Sequence, residues 1–192
     1  MISELRSLLQ AWKLCFFFFS LAYLFGCSDQ SNNYSTKYFS IRNLIYEDTL
    51  SYTNQNLNLE KSVLINESDF SIVKVIHPHW EKELKIIADA DINRSSWRDK
   101  FETDSSFNGN KLSTISYTAT DEKLSIRKIE ISFSDSTQAI KRIQIQIEKN
   151  TLLNSTNTMI SYTPDYGYDI FSTQKVILFG EKTFLISGRL KK

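Results

Sequence analysis

The cleanest periodicity in the chain lies in "KRIQIQIEK", residues 141–149. Ile143, Ile145 and Ile147 alternate there with Arg142, Gln144, Gln146 and Glu148. Successive strand side chains point to opposite faces, so this pattern predicts a strand with one dry and one wet face, as in antiparallel sheets. The same period runs from Trp97 to the C-terminus. In "RDKFETDSSFNGNKLSTISYTAT" it is punctuated by Asn108-Gly109, a strong hairpin signal. In "KLSIRKIEISFSD" Leu124 and Ile126 share one phase, and Ile129, Ile131 and Phe133 the other. A bulge near Arg127-Lys128 restores the phase. "TMISYTP", "QKVILFG" and "KTFLISGRL" complete the run, the last two joined through Gly180-Glu181-Lys182.

The first half of the chain reads differently. "YFSIRNLIYEDTLSYTNQN" places Ile41, Leu44, Ile45 and Tyr52 on one helical face, with Ser40 as a cap. "LEKSVLI" and "FSIVKVI" form a hairpin around Asn66–Asp69. "HPHWEKELKIIADADIN" predicts a second helix. Pro78 suits its first turn, Glu81 and Glu83 lie near its positive end, and Trp80, Leu84 and Ile87 fall on one face. Helices followed by consecutive hairpins give an α+β fold. Its expected form is a curved, mainly antiparallel sheet with the N-terminal helices against its apolar face.

The N-terminus follows another rule. Arg6 and Lys13 precede the apolar run Leu14–Phe25, which stops at once in polar residues. That is the pattern of a secretory signal, and the run is too short for a spanning helix. Leu24-Phe25-Gly26-Cys27 resembles the lipobox of bacterial lipoproteins, with Phe25 bulkier than the usual occupant. The resemblance implies a diacylglyceryl group on the Cys27 thiol, cleavage before it and N-acylation. The expected organisation is therefore a signal peptide over 1–26, a polar tether over 27–37 and one domain over 38–192. Cys15 leaves with the leader, and no cysteine follows Cys27. Several acyl chains hold firmly where one holds marginally, and the lipobox resemblance implies a tether in the cell envelope of a diderm bacterium. Ser28, in place of an aspartate, points to the outer membrane, with the domain facing the periplasm. An ordinary buried Cys27, or a leader cut to release a soluble protein, are the readings set against this.

Two further resemblances bear on the mature part. The order of elements is similar to the half-barrel of lipoprotein-carrier and lipoprotein-receptor proteins. "WEKELKIIADADINRSSWRDKF", Trp80–Phe101, with the later "YTPDYGYDI", resembles uncharacterised small lipoproteins of diderm bacteria, and that likeness implies no activity.

Charge and chemistry narrow the function. The 192 residues carry formal charge +1 from 23 basic and 22 acidic side chains. Removing residues 1–26 removes Arg6, Lys13 and Glu4 and leaves 21 of each sign. No basic stripe marks a nucleic-acid surface. His77 and His79 are the only histidines and a weak metal pair; a third ligand, Glu83 or Asp89, has no fixed place. "DADIN", Asp89–Asn93, starts like a calcium loop, but Arg94 and Lys100 stand where glycine and glutamate are required. Asp91 is instead expected to cap the helix end or pair with Arg94 or Arg98. No Gly-x-Ser-x-Gly, free catalytic cysteine or phosphate loop is present, so neither an enzyme nor a cofactor is expected. Tyr162, Tyr166 and Tyr168 form a tyrosine-rich turn that either rims a binding site or plugs the sheet. The expected partners are the membrane through the lipid and a hydrophobic ligand or envelope protein on the sheet face. The alternative is an assembly partner in the outer membrane without a small ligand.

Overall fold

The computed structural model describes residues 36–66 and 68–192; the leader and Cys27 lie outside them. The chain from Tyr38 opens with helix α1, Ile41–Asn54. Ser40 caps it as read from the sequence, its hydroxyl accepting from the Asn43 amide. Ile41, Ile45, Thr49 and Tyr52 are buried along one side. Nine strands follow: β1 Asn58–Ile65, β2 Asp69–Val75, β3 Phe101–Asn108, β4 Lys111–Ala119, β5 Ile126–Phe133, β6 Ile140–Asn150, β7 Asn154–Thr163, β8 Gly167–Val176 and β9 Gly180–Lys191. All their pairings are antiparallel, in the order β2-β1-β9-β8-β7-β6-β5-β4-β3. The result is an open, curved sheet whose edges are β2 and β3.

Cross-strand register shows what the alternation achieves. Ile131, Ile143, Tyr162, Tyr168 and Gly188 stand directly opposite one another across β5, β6, β7, β8 and β9. Ile129, Ile145, Ile160, Ile170 and Ile186 make the next row. These residues join Ile41, Ile45, Tyr52, Trp80, Leu84, Ile87 and Ile92 in one core. The β5 phase break is a bulge, because pairing passes from Ile126 to Lys128 and skips Arg127.

Four expectations are corrected. The pair of N-terminal helices does not form. After α1, the Pro78–Asn93 segment makes two single turns, α2 Trp80–Glu83 and α3 Lys85–Ala88, separated at Leu84. The apolar positions were read correctly, since Trp80, Leu84 and Ile87 are all buried. A continuous helix would keep them on one straight stripe. The chain instead bends, so that Trp80 meets Tyr52 edge-on at 5.2 Å and Ala90 and Ile92 also reach the core. Packing decides here because helices this short have little stability of their own. The β3–β4 turn is one residue later than Asn108-Gly109: Asn108 pairs with Lys111, and Gly109 takes the first loop position with φ of 61°. The β8–β9 turn is Ile177–Phe179, earlier than expected, since Val176 pairs with Gly180. Asp91 binds neither arginine side chain; its carboxylate accepts from the Ser40 hydroxyl and the Arg42 and Asn93 amides. An acceptor brought from a distant turn thus serves the Arg42 amide and the capping Ser40 hydroxyl at the start of α1.

Candidate functional site

Three tyrosines of the inner face carry the buried polar chemistry. Tyr52 from α1 and Tyr162 from β7 share a hydrogen bond of 2.9 Å between their hydroxyls. Tyr162 also donates to the Asp48 carboxylate, and the Tyr52 oxygen accepts from the Asp165 amide. Burial pushes the Tyr52 hydroxyl up to about 12, raises Tyr162 further and raises the Asp48 carboxyl above its usual range. Nearby, Glu83 accepts from Lys61 Nζ at 2.9 Å and from the Tyr168 hydroxyl at 3.2 Å. Burial is also the main cause that raises Tyr168. Every hydroxyl in this set has a partner, and the side chains are packed into the core, so the set ties α1 and α2 to the sheet.

The tyrosine-rich turn is therefore divided. Tyr162 and Tyr168 are buried, while Tyr166 is exposed beneath the Arg189 guanidinium, 4.9 Å from the ring centre. Arg189 is itself held by Asp169, at 2.6 Å. His77 and His79 are exposed; Glu83 is engaged by Lys61 and Tyr168, and Asp89 by Lys85. Among the described residues, no three histidine, cysteine or acidic side chains gather as a metal site. No helix among them is long and apolar enough to cross a membrane.

An open cleft of about 670 Å³ lies between the α2–α3 segment and the margin of β5 and β6. Lys82, Lys85, Ile86, Asp89, Ala90 and Arg94 form one wall, and Ser125, Ile126, Ile147 and Lys149 the other. Lys85 is paired with Asp89 at 2.7 Å. Arg94 donates to the Asp89 carbonyl and lies 4.4 Å over the Trp97 ring. Lys82 and Lys149 have no ion-pair partner among the described residues. Four cations thus face one carboxylate in a mainly polar cleft that also includes Ile86, Ile126 and Ile147, an arrangement suited first to an anionic group. No family model matches this chain, and no curated protein or solved structure matches it with significance. The cleft must be read from its own chemistry.

Sequence reasoning missed this cleft. Lys82 and Lys85 look like the wet side of a helix, and Lys149 like the wet end of a strand. Only the bend at Leu84 and the docking of that segment on β5 and β6 bring these charges together.

Proposed function

We propose that the protein is a lipid-tethered envelope protein of the outer membrane that binds an anionic amphiphile without catalysis. The cleft between the Lys82–Arg94 segment and the β5–β6 margin is the binding site. The supporting observation is the excess of cations over carboxylates around Ile126 and Ile147. The lipobox-like Leu24-Phe25-Gly26-Cys27 supports the address. The half-barrel likeness to lipoprotein carriers and receptors and the small-lipoprotein likeness of Trp80–Phe101 belong to this reading as resemblances of the sequence, beside the open, curved sheet of the fold. The test is native purification from membranes with mass spectrometry of co-purifying lipids. An anionic acyl ligand lost in the Lys82→Glu/Lys149→Glu double variant is the expected result. Recovery of the folded protein without any ligand, or unchanged ligand in the double variant, sinks the ligand reading. Cys27→Ala is expected to abolish lipid labelling and release the chain from membranes.

A second reading, an assembly partner without a small ligand, rests on the outer face of the sheet. Phe70, Leu64, Leu185, Phe171 and Met159 are directly opposite neighbours across five adjacent strands. Four of them are exposed. In-cell crosslinking from Phe171 to another envelope protein favours this reading; recovery of monomer alone counts against it.

A further inference from the structure

The turns Asn150–Asn154 and Val176–Gly180 bring together five exposed apolar side chains, four of them the most exposed large apolar side chains among the described residues. Leu152, Leu153, Ile177, Leu178 and Phe179 are 94%, 67%, 57%, 95% and 80% exposed. Asn154 pairs with Val176, so the two turns sit side by side, and the Ile177 amide donates to the Leu153 carbonyl at 3.0 Å. None of the five side chains can form a hydrogen bond. Leu178 also has φ of 79°, a conformation that glycine or asparagine adopts more readily. Both hairpins therefore present bulky apolar groups where hairpin turns ordinarily place small or polar ones.

The start of the domain lies at the same end of the strands. Lys37 pairs with Asp99, and Tyr38 packs on Phe101, the first residue of β3. Phe101 lies opposite Ala119, the last residue of β4, and the ends of β6 and β8 point the same way. From Cys27 to Thr36 the chain reaches at most about 30 Å. A tether at Cys27 therefore holds this end close to the bilayer surface.

We propose that the turns 151–153 and 177–179 dip together into the hydrocarbon boundary of the bilayer that carries the protein, a proposal that rests on the tether for the choice of membrane. A lipid surface suits them better than a protein does. A side chain more than nine-tenths exposed stands on a convex tip, which a fluid phase surrounds and a rigid partner touches on few sides. Among the flanking charges, Lys175 lies opposite Glu181 and Glu148 is 3.7 Å from Arg127, which leaves Lys149 and Lys182 uncompensated among the described residues. Insertion is therefore driven by apolar burial, with a smaller contribution from anionic lipid at these two lysines. Lys149 lies two residues from the first tip and lines the cleft. Insertion would open the cleft toward the headgroups.

The test uses the mature full chain in phosphatidylethanolamine–phosphatidylglycerol vesicles. A polarity-sensitive fluorophore is placed at Leu178→Cys, at Leu152→Cys and, at the opposite end of the sheet, at Phe107→Cys. All three positions are exposed, so the fold is kept. The expected result is a blue shift and quenching by lipid-borne nitroxides at the first two, with several-fold weaker quenching by aqueous iodide than at Phe107→Cys. Equal iodide quenching at all three positions overturns the proposal, as does shielding at Leu178→Cys before lipid is added, which would indicate a second copy or a protein partner. The mass of the Cys27 peptide from the same sample tests the tether separately. An unacylated Cys27 with lipid-quenched tips sinks the tether and keeps the insertion.

Discussion

The middle of the sheet and its β2 side are built from the same kinds of residue, yet they meet water differently. Ile129, Ile131, Ile143 and Ile145 on β5 and β6 are at most 1% exposed. Phe70, Ile72 and Val73 on β2 are each more than half exposed. Both stretches are β-branched or aromatic. The difference is cover: α1 and the Trp80–Ile92 segment fill the space over the inner face of the middle strands, whereas Phe70 and Ile72 lie on the uncovered outer face and Val73 on the inner face at the free edge. β3 is also a free edge, and each edge strand carries two charges, Glu102 and Asp104 on β3 and Asp69 and Lys74 on β2, so edge charge does not distinguish them. Alternation assigns residues to a face; a second layer makes that face dry.

The largest expected effect tests this contrast directly. Ile143→Ala should cost about 2–5 kcal/mol of unfolding free energy, as large-to-small core changes do. Ile72→Ala should stay within about 0.5 kcal/mol, as an uncovered surface position. Equal losses in denaturant melts would erase the distinction between the two regions. Next, Tyr162→Phe deprives Asp48 and Tyr52 of their shared partner and should cost about 1–3 kcal/mol. A neutral result would mean that water serves the buried groups equally well.

At the junction between the regions, Gly188 faces Tyr168 across the β8–β9 pair. A Cβ there would come within 2.5 Å of the tyrosine ring, so Gly188→Ala should cost about 1–3 kcal/mol through overpacking. Unchanged stability would show that the ring swings away freely. A pH effect of smaller size concerns Asp48. Its folded-state pKa is raised, chiefly by burial, so its contribution is fully present below the unfolded value and is lost as pH rises through the folded value. Asp48→Asn should flatten that part of the stability–pH curve, and an unaltered curve would exclude Asp48 as its source. Tyr52 and Tyr162 follow the same sign at high pH: stability should fall above the ordinary tyrosine range, where the unfolded chain's hydroxyls ionise first. The smallest effect on stability is expected of Ile72→Lys, within about 0.5 kcal/mol. It should lower any concentration-dependent association measured by sedimentation; if association is unchanged, β2 is not the contact.

The strands were legible because their signal is local. Ile143, Ile145 and Ile147 declare the dry face of β6 within five residues, and the phase slip at Arg127 declares the β5 bulge. The start of α1 was equally legible, since the Ser40 cap on the Asn43 amide and the spacing of Ile41, Ile45 and Tyr52 are local signals. The turns were less so. "QKVILFG" contains four apolar residues in a row and no alternation to mark where β8 stops. The candidate site was barely legible at all. Lys82 and Lys149 are far apart in the chain, and neither is distinguished by its neighbours. Leu152 and Leu178 sit in short apolar runs that look like strand interior until the hairpin register is known.

Read alone, the residues determined an antiparallel β-rich domain, the dry side of most strands and the first helix. Those properties depend on side-chain period and on bonds between near neighbours. Tertiary structure alone decided that the Pro78–Asn93 segment breaks at Leu84, that Asp91 serves the start of α1, that Tyr162 and Tyr168 are enclosed while Tyr166 is not, and that four cations meet over Ile126 and Ile147. Each of these depends on which distant surface comes to rest on which. That outcome is set by the summed packing of the whole chain and leaves no local mark in the order of its residues.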